Sequence, residues 1–233
     1  MNGISSRPLD GVKYLIGINL LVYLAMFVFA RYRLDNLLSL YNPMDERFRS
    51  YQLLTHMFIH SKNFIFHIFF NMLTLWMFGT QLEYLLGTRR FLTVYFSSGL
   101  LAAFSQILFN LGVSFYFFQV LDFSQAEFPL RGTLTGEQRV LVSSLYASMM
   151  GASGAVSGVV GGVARFFPDY KIFILPIPFP IAVRKALRLF VLGSVISAVF
   201  NLVPGVAHFA HIGGTIGGYF LGSYYVKNNF SGY

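Results

Sequence analysis

Ser153 lies in the run Gly151-Ala152-Ser153-Gly154 and His211 in Ala210-His211-Ile212-Gly213-Gly214, and both runs fall inside stretches apolar enough to cross a membrane. A hydroxyl and an imidazole are costly to keep at membrane depth, so the pair points to chemistry within the bilayer. The chemistry that suits it is nucleophilic catalysis. A serine is a weak nucleophile until a base within hydrogen-bond reach takes its proton, and histidine is the titratable group at hand. Acyl transfer to Ser153, with His211 accepting and then returning the proton, is the expected reaction. Ser157, followed by Gly158, is a rival nucleophile, but four residues down an α-helix it sits ~6 Å deeper, further from water. His208 reads as a hydrogen-bonding residue at a loop or helix entry.

A developing oxyanion needs donors. His67 and Asn71 are four residues apart, hence on one helical face, and both can present side-chain N–H groups to it. The backbone N–H of Ser153, at the start of its helix, has no intrahelical partner and adds a third donor in the positive field of the helix end. His56 and His60 share the same spacing, but the glutamate of an HExxH helix is missing and no inward carboxylate is near, so no metal is expected and these two read as structural. Asp35, Asp45, Asp122 and Asp169 all fall in connections, which excludes paired aspartates within helices. No cofactor is expected.

These groups must be positioned by membrane helices. Of 233 residues, 55% are hydrophobic and only 11% charged, against about 25% in soluble domains. At roughly 20 residues per crossing, the length is used up by about six spans, so residues 1–233 read as one membrane-embedded domain in an all-α, six-helix bundle. The spans fall at about residues 14–30, 64–86, 91–109, 153–167, 187–203 and 206–226. The first is longer than the core of a signal peptide and reads as a retained helix. Residues 31–52 and 112–150 read as connections, and 168–188, with prolines at 176, 178 and 180, as a loop. Gly154, Gly158 and Gly162 recur every four residues, as do Gly214, Gly218 and Gly222. Together with Gly151 they predict close packing of the fourth and sixth helices.

The formal charge is +8, yet the basic residues are scattered and form no continuous stripe, which argues against nucleic acid as a partner. Ten of the 17 Lys and Arg fall on one side when the N-terminus is placed inside, so both termini are expected in the cytoplasm, in a bacterial inner membrane. On that topology Ser153 and His211 sit near the outer ends of their helices. Glu83 is expected to pair with Arg89 or Arg90. The absence of cysteine excludes a thiol nucleophile. An internal repeat with intramembrane charges, the mark of a transporter, is not found.

GASGAVSG from Gly151, AHIGGTIGG from Ala210, HxxxN from His67, and Gly79-Thr80-Gln81-Leu82-Glu83 followed by Gly87 and Phe91 together resemble the rhomboid intramembrane serine proteases, in order and spacing, over about residues 51–222. The resemblance implies a Ser153–His211 dyad on the fourth and sixth helices, with His67 and Asn71 in the oxyanion hole. It also implies cleavage of transmembrane protein substrates near their entry into the bilayer. A rhomboid-like protein that only escorts other membrane segments would have lost the serine or the histidine, and both are present. The chain departs from the family pattern in lacking a Trp-Arg pair in the loop after the first helix. It also carries Ser157 where an aromatic usually stacks on the histidine.

Overall fold

The computed structural model describes residues 10–118, 147–173, 178–200, 202–203 and 205–230. The first helix, α1 (Gly11–Val28), contains no proline and is apolar on nearly every side, with Val12, Leu15, Asn19, Tyr23 and Met26 buried against the rest of the molecule. Its amino end is held by Glu83. The carboxylate accepts from the backbone N–H groups of Gly11 at 2.8 Å and Val12 at 3.0 Å, and from Thr88 Oγ1 at 2.6 Å. This corrects the expected pairing of Glu83 with Arg89 or Arg90. The carboxylate is fully buried, where the unsatisfied amides of a helix start attract it more effectively than exposed guanidinium groups can. Both arginines stay exposed, and Arg90 lies over the Tyr225 ring.

After α2 (Leu34–Leu38) and the single turn α3 (Gln52–Thr55), helix α4 runs over Ile65–Leu86 with a π-helical turn at Leu75–Gly79. The wider turn leaves Trp76 and Met77 facing outward while Leu75, Phe78 and Gly79 stay buried. Gly87, at φ 77°, ends α4 in a conformation that suits glycine, and α5 (Thr88–Phe118) follows at once. At 31 residues, α5 continues well past the expected end near residue 109, because no proline interrupts it. At roughly 1.5 Å per residue it is about 46 Å long, more than the ~30 Å hydrocarbon core requires. The connection assigned to 112–150 lies outside the described residues from 119 to 146.

Helix α6 (Ser153–Phe166) is the centre of the molecule: ten of its 14 residues are buried. Residues 168–188, expected as a loop, instead contain a short antiparallel pair, β1 (Lys171–Ile172) with β2 (Ile181–Ala182), and α7 (Val183–Phe200) starts inside that stretch. The pairing is fixed from outside the strands by Val183 N–H donating to the Tyr170 carbonyl and by an Arg184–Asp169 ion pair at 2.7 Å. The last helix, α8 (His208–Phe230), lies along α6. A Cβ added to Gly214 would strike the backbone of Gly154, and one on Gly218 the backbone of Gly158. Ser98 of α5 faces Gly158 from the other side. Side chains there would force the three helices apart.

Among the described residues, three helices are long and apolar enough to cross a membrane: Gly11–Val28, Ile65–Leu86 and Thr88–Tyr116. The large side chains Tyr95, Phe91, Met57, Ile59, Leu75 and Leu82 are buried between them and α6. Tyr84, Phe104, Leu108, Leu192 and Phe220 face outward. An apolar exterior of that kind is what a lipid-facing surface requires.

Candidate active site

Ser153 is the first residue of α6, and the chain entering it is held by two buried histidines. The Gly151 N–H donates to the His56 carbonyl at 2.9 Å, and the Ala152 N–H to His60 Nε2 at 3.4 Å. His56 is fixed in turn, its Nδ1 donating to the Gln52 carbonyl at 2.9 Å. Burial pushes the His56 imidazole down to about 4; burial, with His67 alongside, pushes His60 down to about 3. Both therefore act as neutral rings that shape the backbone. Further support comes from the Leu40–Met149 bridge, whose two backbone hydrogen bonds of 2.8 and 2.9 Å tie the loop after α2 to the strand leading into Ser153.

Gly151, expected among the glycines that pack one helix on another, stands outside α6 with φ 116°. A Cβ there would meet the His67 ring at 2.6 Å from Nε2, and Ser153 Oγ is 3.7 Å from the same point. The glycine thus lets His67 and Ser153 face one small space. His67 Nδ1 accepts from the Ser61 N–H at 3.3 Å, which leaves Nε2 to carry the ring proton toward that space. The N–H groups of Ser153 and Gly154 occupy the first turn of α6, where no intrahelical carbonyl reaches them.

Across the space, Ser153 Oγ and His211 Nε2 are 2.9 Å apart and hydrogen bonded. With Nε2 unprotonated, the serine hydroxyl donates to it, the geometry a general base needs. The His211 ring lies against Phe190 of α7, with centroids 5.6 Å apart and the two planes tilted by 35°. His208 approaches edge-on at 6.4 Å while its Nε2 lies 3.3 Å from the Val203 carbonyl at the entry to α8, the contact read from its position. Ser157 is buried one turn below Ser153.

Asn71 is also buried, but its amide nitrogen donates to the His67 carbonyl one turn back at 2.7 Å. It does not line the cavity of 810 Å³ into which Ser153, His211, His67 and Gly154 open. The far wall of that cavity includes Asn42, Gln106 and Asn110. Among the site residues, Phe190 was not legible from the sequence, since nothing in the apolar run of α7 marks one phenylalanine over another. The backbone role of His60 could have been suspected from its lack of a carboxylate partner.

The Rhomboid domain family model matches residues 47–228, most of the chain. Among individual relatives, Rhomboid protein 1, mitochondrial, of Saccharomyces cerevisiae is 27% identical over 161 residues, 69% of this chain. The chain spans 38% of the length of that relative.

Proposed function

The chain belongs to the rhomboid family and is an integral membrane protein, and from that premise we propose that it is an intramembrane serine endopeptidase working through a Ser153–His211 dyad. The observation that carries this reading is the 2.9 Å contact of Ser153 Oγ with His211 Nε2 at the wall of an open cavity. Ser153 Oγ attacks the carbonyl carbon of a peptide bond while His211 Nε2 takes the hydroxyl proton. The negative charge on the former carbonyl oxygen is met by the Ser153 N–H and by His67 Nε2–H, joined by the Asn71 amide once substrate has drawn it from the His67 carbonyl. His211 then gives its proton to the departing amine, leaving an acyl-enzyme. A water molecule from the cavity, deprotonated by His211, attacks the ester and regenerates Ser153.

The substrates are transmembrane segments of other proteins. A peptide bond inside a helix is shielded by its own hydrogen bonding, so the segment must unwind locally before it reaches Ser153, and helix-weakening residues near its end favour this. The short helix α6 and the helices α7 and α8 complete a six-span, single-domain bundle in the bilayer. Both termini lie on the cytoplasmic side, and the dyad lies near the outer boundary, where cleavage occurs. His67 and Asn71 serve the oxyanion. Gly154, Gly158, Gly214 and Gly218 keep the two dyad-bearing helices at backbone contact.

Labelling of the detergent-purified protein with a fluorophosphonate tests the nucleophile. The wild type takes up the probe on Ser153, and Ser153→Ala does not. Uptake on another serine, or none, would contradict the assignment.

A further inference from the structure

We infer that Phe190, from α7, is the positioning residue for the histidine base: its ring supports the face of His211 and favours the imidazolium that forms during proton transfer. The inference rests on the dyad reading above. A dyad has no third member to orient its base, and among the described residues the hydrogen bond to Ser153 is the one hydrogen bond of the His211 ring. An imidazole held at one atom can still swing about that contact. The Phe190 ring, 5.6 Å away with its plane tilted by 35°, stands beside the imidazole and restricts that swing.

Three further observations point the same way. Phe190 shares a helical row with Ala186 and Ser194, both buried, so it lies on the face that α7 turns toward the bundle. It nevertheless remains 41% exposed, so it is not an ordinary core residue. Its centroid also lies within the ~6 Å at which an aromatic face attracts a cation, and proton transfer from Ser153 turns His211 into one. The other titratable side chains that approach the base are His208, edge-on from its own helix, and His67 across the cavity. His208 is farther from the His211 ring than Phe190 is, at 6.4 Å, and edge-on. Attachment of the support to α7 makes the catalytic geometry depend on how that helix seats against α8.

The test uses the full chain in detergent and compares wild type, Phe190→Leu, Phe190→Tyr and the outward-facing control Leu192→Ala. Two quantities are read: the rate of fluorophosphonate labelling at Ser153, and kcat and KM on a transmembrane substrate. Phe190→Leu is expected to slow labelling and kcat by about 5- to 10-fold with KM unchanged. Phe190→Tyr restores both to within about 2-fold of wild type, and Leu192→Ala matches wild type. If leucine lowers the thermal midpoint, Phe190→Met takes its place with the same expectation. Labelling of Phe190→Leu, or of Phe190→Met in its place, at the wild-type rate would overturn the role of Phe190, as would equal losses in the tyrosine and non-aromatic variants or a rise in KM with labelling intact. Failure of the wild type to label at Ser153 is a different result and overturns the dyad beneath it.

Discussion

His67 and Glu83 stand near opposite ends of α4, and the two ends treat their polar groups differently. At the Glu83 end the carboxylate is fully buried and spends its oxygens on two amides of α1 and the Thr88 hydroxyl. Nothing polar is left over for a visitor. At the His67 end the ring accepts a hydrogen bond through Nδ1 and packs against His60, and its other nitrogen faces the space between Gly151 and Ser153, at the wall of an 810 Å³ cavity. A buried polar group that is saturated from within holds helices together; one that keeps a donor aimed at open space is arranged to meet something else. The same helix thus clamps the bundle at one end and keeps a ring nitrogen facing open space at the other.

Substitutions at the two ends should separate the two roles. His211→Ala removes the base and is expected to lower both cleavage and fluorophosphonate labelling by more than about 10³-fold, with the thermal midpoint little changed. Next in size, His67→Ala and Asn71→Ala should each lower kcat by about 10²-fold while leaving KM nearly unchanged, because an oxyanion donor engages charge that exists only near the transition state. A rise in KM with kcat intact would move either residue from the chemical end of the comparison to the structural one. Glu83→Ala should do the reverse. It strands two buried N–H groups, costs about 3 kcal/mol of stability seen as a lower thermal midpoint, and leaves kcat per folded molecule within about 2-fold.

A further effect is one of pH. His56 and His60 are held neutral, at about 4 and about 3 against 6.5 for a free imidazole. Because the unfolded chain takes up these protons first, their contribution is fully present above pH ~6.5 and is lost progressively as the pH falls toward 4. Thermal midpoints measured from pH 7 to 4 should fall, and His56→Gln should flatten the slope. A slope unchanged by the substitution would show that His56 is not one of the groups responsible.

Much of the bundle could be read from the sequence because its signals are local or periodic. Glycines four residues apart mark a helix face wherever they occur, and here Gly214 and Gly218 do meet the backbones of Gly154 and Gly158. The serine and histidine stand out because polar groups at membrane depth are rare. What could not be read depends on partners far away in the chain. Glu83 has arginines six and seven residues on, and only the fold reveals that the start of α1, 72 residues back, is its partner. Gly151 looks like another packing glycine until its φ of 116° puts it outside the helix. The strand pair at Lys171–Ile172 and Ile181–Ala182 was hidden by its prolines, which signal a turn without saying what flanks it. Phe190 gave no signal at all, since one aromatic among many on an apolar helix is distinguished only by what it touches.

The reaction proposed for Ser153, supported by His211, is the breaking of peptide bonds inside the membrane. Its most direct test is to reconstitute the wild type, Ser153→Ala and Ser157→Ala into liposomes with a single-pass transmembrane substrate and to locate any cut by mass spectrometry. Cleavage is expected near one end of the substrate's transmembrane segment by the wild type, with most of that activity in Ser157→Ala and none in Ser153→Ala at an unchanged thermal midpoint. Cleavage by Ser153→Ala at the wild-type rate, with loss of activity in Ser157→Ala, would contradict it.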